Sequence, residues 1–471
     1  MMTRRSFLGG LSASLGAATS VNLRARPFDG AHGRPKGTDQ QTLRIDARKL
    51  RERIERLSTF GRPAGGTFAD GVTRVAYSDA DVDGRRFVMA EMKAAGLQPR
   101  IDPAGNIFAR REGMAARLPP ALRDGDNRPV ASADKPILFG SHIDSVPNGG
   151  NFDGDLGSLG ALAVLEALDA GGIRTRHPLE MVIWAHEEGF AFGRGLACSR
   201  IVAGLVTSAD MDAVWNGLKR ADAIRKIGGD PDRIFDARRP KGAHHCYLEL
   251  HIEQGGTLER AGIPVGVVEG IVAIDRYEAV ITGFANHAGT TPIAERHDAM
   301  LAAAHLTVAV RDAVTRLPGR QVGTVGQIEI TPNSPNVIPG LARMSIELRD
   351  LSSQKLVAIM DDIRARAREI AATTQTTIDF SQAMTAAPAV ATPEVQSAIE
   401  RAAASLELGA SRLPSGAGHD AQNMALLGPM GMIFVPSVGG VSHSPKELTH
   451  WDDCARGVDV LLRTVLEMDG V

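Results

Sequence analysis

Cysteine is scarce in this chain. Its 471 residues hold three, Cys198, Cys246 and Cys454, widely spaced and with no CxxC pair. That argues against a zinc–thiolate site or a disulfide framework and leaves buried free thiols as the expectation. Charge of one sign is lacking too. A formal net charge of −2 gives no electrostatic case for nucleic acid or an anionic membrane as partner. Beyond the N-terminus no stretch approaches the ~20 consecutive apolar residues of a membrane span. No internal repeat or low-complexity tract stands out. What is present, 43% hydrophobic and 23% charged residues, is an ordinary globular composition, over a length suited to two or three domains.

The N-terminus departs from that pattern. Thr3-Arg4-Arg5-Ser6-Phe7-Leu8 precedes a mildly apolar stretch of small residues from Gly9 to Val21, and no acidic residue occurs before Asp29. This resembles a twin-arginine export signal and implies a periplasmic or extracellular protein with no membrane segment in its mature form. Residues 1–40 are expected to be that signal and a disordered segment.

The most informative motif is Gly140-Ser141-His142-Ile143-Asp144, after the apolar run Pro136-Ile137-Leu138-Phe139. The run reads as a short buried strand, from whose end His142 and Asp144 face the same way. That pairing suits a metal-ligating imidazole with a carboxylate to orient it. Asp153 follows in a turn rich in glycine, Gly149, Gly150 and Gly154, that can fold a carboxylate back over a metal. A second buried run, Leu179 to Ala185, ends in His186-Glu187-Glu188-Gly189. A third, Tyr247 to His251, ends in His251-Ile252-Glu253-Gln254-Gly255, and His443 lies just past Ile433-Phe434-Val435. His142, Asp153, Glu188, His251 and His443 therefore form a candidate ligand set for two borderline divalent ions sharing a carboxylate. Glu187 and Glu188 must lie where the strand has become a turn, so that one ligates metal and the other acts as base. A zincin HExxH fails at Phe190, and a GxSxG elbow fails at Leu413 before Ser415. His419, in the small-residue run after Ser415, is expected to be structural.

Strands alternate with helices, which points to an α/β fold: a mixed, largely parallel sheet with helices on both faces. In such sheets functional residues gather at the carboxyl ends of strands. Between 264 and 380 the order β-α-β-β-α-β describes an inserted ferredoxin-like α+β unit. It divides the larger domain into residues 41–263 and 381–471. The insert carries Asn286-His287-Ala288-Gly289, Asn336-Val337-Ile338-Pro339 and Leu348-Arg349-Asp350. Arginine beside Asn and His donors suits a substrate carboxylate, which guanidinium meets in a two-pronged geometry.

Taken as a set, these segments, with Pro147 to Gly154, Glu249 to Gly255, Ser415 to Asp420 and Ser442-His443-Ser444-Pro445, resemble the amidase and carbamoylase branch of the M20 metallopeptidase clan. The similarity runs from about Leu43 to Leu466. It implies two divalent ions per subunit, zinc first and manganese, cobalt or nickel as alternatives, with Asp153 bridging. It implies Glu187 as general base. Gln254, Asn336 and Arg349 resemble the carboxylate-binding residues, and His287 the residue that reaches the site from the insert to bind substrate and stabilise the oxyanion. The insert would serve as lid and dimerisation domain of a homodimer. The implied reaction is hydrolysis of the carbamoyl C–N bond of N-carbamoyl-L-amino acids or similar ureido acids. The alternatives are allantoate or ureidoglycolate hydrolysis, another amide or peptide hydrolase, or a non-catalytic metal binder, against which Glu187 argues. One departure bears on the substrate: Phe190-Ala191-Phe192 stands where relatives carry a small residue, Arg and Phe.

Overall fold

The computed structural model describes residues 42–114 and 135–470. The twin-arginine motif lies outside the described residues. One large sheet has the order Arg100–Ile101, Ile107–Arg111, Leu179–Trp184, Ile137–His142, Cys246–Ile252, Met430–Val435, Val265–Ile271 and Ala389–Val390. A ninth strand, Ala410–Ser415, pairs in parallel with Val265–Ile271. The four central strands, those running into Glu187, His142, His251 and His443, are mutually parallel, and their flanking neighbours Ile107–Arg111 and Val265–Ile271 run antiparallel to them. Every residue of those four strands is buried. Such strands cannot show the alternation of a half-exposed sheet, which is why they read as unbroken apolar runs. Two cores flank the sheet. One is built on the Asp155–Ala170 and Trp451–Asp469 helices, the other on Trp184, Tyr247 and Phe434. All three cysteines are buried and free.

The second sheet is antiparallel, in the order Val322–Thr331, Leu341–Asp350, Ala273–Thr282, Thr377–Ala386. The Ala299–Arg316 and Ser353–Thr374 helices pack on it around a core of their own. This is the expected split arrangement, with its ends moved. Val265–Ile271 belongs to the large sheet, pairing with Met430–Val435, so by sheet membership the insert runs from Ala273 to Ala386 and not from 264 to 380. The apolar run across this point hides the change of sheet, because both strands are β-rich and only Val272 separates them.

Candidate metal centre and active site

The four parallel strands end on one edge of the sheet, and there the chain places its imidazoles and carboxylates. His142 is the last residue of its strand and His251 the last but one of its own. Asp153 enters from the turn before the Asp155–Ala170 helix. Gly154, capping that helix, has φ +68°, and a Cβ there would collide with the His142 imidazole. Only glycine satisfies both demands.

Two groups of three potential ligands result, with ligand atoms within 4.8 Å of one another: His142, Asp153 and His251, and Asp153, Glu188 and His443. Asp153 belongs to both. Its Oδ1 lies 3.4 Å from His142 Nε2 and 3.2 Å from His251 Nε2. Its Oδ2 lies 3.4 Å from His443 Nε2, which is also 3.3 Å from Glu188 Oε2. One oxygen thus serves each group, the geometry of a bridging carboxylate. His251 Nε2 and Glu188 Oε1 are buried without a hydrogen-bond partner, as atoms reserved for a cation would be. Nitrogen and oxygen donors with no thiolate fit zinc, manganese, cobalt or nickel.

The other ring nitrogens are fixed by backbone. His142 Nδ1 is 3.0 Å from the Asp144 carbonyl and His251 Nδ1 is 2.9 Å from the Ile252 carbonyl. Here the structure corrects the expectation that the Asp144 carboxylate orients His142. That carboxylate is 3.9 Å from the ring and accepts instead from the backbone N–H of Glu187 at 3.1 Å and of Glu188 at 3.2 Å. It therefore sets the turn that lets two consecutive glutamates face one cavity. His186, at φ +56°, starts the turn and is held by Ala191 O at 2.6 Å and Tyr77 Oη at 3.3 Å.

Glu187 Oε2 sits 3.8 Å from His142 Nε2. Burial, reinforced by Glu188, holds its carboxyl well above the usual range. Glu188 is pushed up to about 8 by burial and by Asp153. Asp153 goes the other way. Burial raises it, but the positive charge of His251 and the contact with His142 outweigh that and hold it well below the ordinary value. His443 is raised to about 9 by its contact with Asp153 and by Glu188. The carboxylates are crowded and await positive charge.

Asp153, Glu187, Glu188, His251 and His443 line a cleft of about 220 Å³ that also includes Leu196, Gln254, Ala417 and His419. Gln254 Nε2 donates to Asp153 Oδ2 at 2.7 Å, so in this arrangement its amide holds the bridging carboxylate. His419 Nε2 meets Ser415 Oγ at 2.9 Å and its ring packs edge-on against His251. His287, Asn336 and Arg349 do not line the cleft. Arg349 is engaged with Glu347 Oε1 at 2.7 Å and the Gly416 carbonyl at 2.5 Å. His287 and Asn336 lie together, the N–H of Ala288 bonding to the Asn336 carbonyl.

Glu447 is a site residue that sequence reasoning missed. Its Oε1 accepts from the N–H groups of Phe152 and Asp153 at 2.9 and 3.1 Å. Its Oε2 accepts from Ser442 Oγ, 2.8 Å away, which is also 3.0 Å from Asp153 Oδ2. Its position four residues after His443 was the available signal.

The model of peptidase family M20/M25/M40 matches residues 138–467. An N-carbamoyl-L-amino acid amidohydrolase of Geobacillus stearothermophilus is 37% identical, over 90% of this chain and 99% of that protein. A ureidoglycolate hydrolase of Arabidopsis thaliana is 34% identical, over 91% of this chain and 87% of that one. The crystal structure of an amidase of the hydantoinase/carbamoylase family from Burkholderia multivorans superposes with a TM-score of 0.80 at 32% identity, covering 91% of this chain and 98% of that one. With sequence and architecture in agreement along nearly the whole of both chains, this chain belongs to peptidase family M20/M25/M40, among its hydantoinase/carbamoylase-type amidohydrolases.

Proposed function

We propose that this protein is a two-metal hydrolase of the carbamoyl C–N bond in N-carbamoyl-L-amino acids or similar ureido acids, releasing ammonia, carbon dioxide and the amino acid. The observation that carries this is Glu187 and Glu188, both fixed by Asp144, facing two ligand groups that share Asp153. Divalent ions, zinc first, would be held by His142, Asp153 and His251 and by Asp153, Glu188 and His443. When bound they supply Lewis acidity and lower the pKa of water.

Glu187 takes the proton of the attacking water and returns it to the leaving nitrogen. Its Oε2, 3.8 Å from His142 Nε2, stands beside the ligand groups where both transfers take place. Gln254, Asn336 and Arg349 bind the substrate carboxylate. His287 stabilises the oxyanion. Its Nδ1 accepts from the N–H of Gly289 and of Thr290, both at 3.1 Å, so the proton of the neutral ring sits on Nε2, which is the donor this role needs. The insert must close on the substrate for these groups to act, and its movement frees Arg349 from the Gly416 carbonyl.

The protein is proposed to act as a homodimer, exported by the twin-arginine route. Exchange of Arg4 and Arg5 for Lys should keep it out of the periplasmic fraction. The Arabidopsis relative keeps ureidoglycolate, with allantoate, as the second reading.

Ammonia release by metal-reconstituted protein tests the proposal, with N-carbamoyl-L-amino acids, N-carbamoyl-β-alanine, ureidoglycolate and allantoate as substrates. Glu187→Gln should lower turnover on carbamoyl amino acids by roughly 10² to 10⁴. Release from allantoate or ureidoglycolate alone would move the assignment to the second reading. Near-normal turnover in metal-loaded Glu187→Gln would remove Glu187 as base.

A further inference from the structure

The loop between Glu188 and Gly195 has a second cavity beside it. The loop closes where Leu196 N bonds to Glu187 O at 2.7 Å and Ala197 N to His186 O at 3.0 Å. The second cavity shares no lining residue with the metal cleft. Three arginines converge on it: Arg194 from the loop, Arg200 from the Ala197–Val202 helix, and Arg220 at the start of the Arg220–Lys226 helix.

Arg220 is only 7% exposed, yet its Nε has no hydrogen-bond partner and its guanidinium rests over the Phe192 ring at 5.1 Å. Among the described residues none of the three arginines forms an ion pair; Arg200 reaches only the Leu205 carbonyl, at 3.5 Å. The one acid lining the cavity, Asp210, is occupied by Thr207, whose N–H and Oγ1 lie 2.8 and 2.9 Å from its carboxylate. Burial and the neighbouring Arg194 and Arg220 hold the Arg200 guanidinium below its ordinary value. Asp210 is thus the one carboxylate set against three guanidinium groups, of which Arg220 is buried, Arg200 half-buried and Arg194 exposed, and the cavity carries an excess of positive charge. The enclosed space has room for about one water, so an anion the size of sulfate sits at its mouth, where the half-buried Arg200 and the exposed Arg194 can turn to meet it.

We infer that this cavity is a binding site for a small oxyanion, held by Arg194, Arg200 and Arg220 and separate from the metal cleft. The bound anion ties the loop to two helices and so stiffens the segment that begins at Glu187 and Glu188.

Calorimetric titration of sulfate into the metal-loaded protein tests this, with acetate in parallel to separate an inorganic oxyanion from a carboxylate. Saturable binding of one sulfate, undisturbed by substrate, is expected. Arg220→Met should weaken it roughly tenfold or more, the value of a charge-assisted hydrogen bond, while ammonia release in sulfate-free buffer persists. Arg194→Met, at an exposed position, should do the same and serves if the Arg220 variant fails to fold. Saturation by acetate alone would make the ligand a carboxylate at the same site. The inference is overturned by three results: no saturable binding of either anion, binding unchanged in the arginine variants, or strict competition between anion and substrate, which would place the anion at the metals.

Discussion

At the residue scale the site turns on protons that must leave before metal enters. Without metal, His443 is raised to about 9 and Glu188 to about 8, so at neutral pH both hold protons that a cation has to displace. A group whose pKa is raised keeps its proton until pH passes that value. Apparent metal affinity should therefore rise with pH between 6 and about 9, roughly tenfold per unit for each proton displaced, and level off above. Competition with a chelator across that range measures it, and a flat profile would exclude His443 as ligand. Glu447 makes a second case. Its replacement by Ala leaves the N–H groups of Phe152 and Asp153 and the Ser442 hydroxyl without their acceptor. The bridging carboxylate then loses its footing, and metal retained after dialysis should fall in line with a 10- to 100-fold weaker affinity. Unchanged retention would make Glu447 a packing residue only. His443 and Asp153 were legible as ligands in the sequence, whereas the contact that Glu447 makes with Asp153 was not. Glu447 reaches Asp153 across nearly 300 positions of chain, and no local pattern encodes such a contact.

At the scale of elements much more could be read. The strands leading to His142, Glu187, His251 and His443 are buried throughout, so their apolar runs and polar ends mark both the strands and the site. The helical spacing that runs from His297 to Arg316 and from Gln354 to Thr373 ends within two residues of the insert's two long helices, Ala299–Arg316 and Ser353–Thr374, because amphipathic spacing persists over many turns. The closing strand was expected to stop at Phe380. It continues to Ala386 past a register shift after Gln382, through a mostly exposed stretch that no burial period marks. The Gly-rich turn was legible as a turn, and its geometry makes a demand that can be tested. Gly154→Ala puts an L residue at φ +68° and a methyl group into the His142 ring. The left-handed backbone alone costs roughly 1–2 kcal/mol. Thermal unfolding should show at least that loss, and metal analysis should show the His142, Asp153 and His251 group weakened. A variant of normal stability that still binds two ions would contradict the close approach.

At the scale of the whole molecule, groups on the insert have to travel to reach a cleft they do not line. Arg349 is tethered to Glu347 and Gly416, while His287 and Asn336 stand exposed on a short ladder of their own. Substrate binding and insert position are therefore coupled, because the carboxylate receptor is complete only once the insert has moved. Replacing Arg349 by Met should raise KM far more than it lowers kcat, and an unchanged KM would take Arg349 out of the substrate site. The insert also carries apolar surface that a lone chain leaves uncovered. Phe284 is 64% exposed, Ile293 78%, Leu301 50% and Val308 56%. Leu301 and Val308 are seven residues apart and share one helix face, with Ala304 and His305 exposed between them. Such a stripe, on the element proposed to join two copies, is where a second chain would bury it. Leu301→Glu with Val308→Glu should leave the proposed dimer a monomer in light scattering with the metal content intact, since neither residue lines the cleft. A dimer that survives both changes would place the interface elsewhere on the molecule.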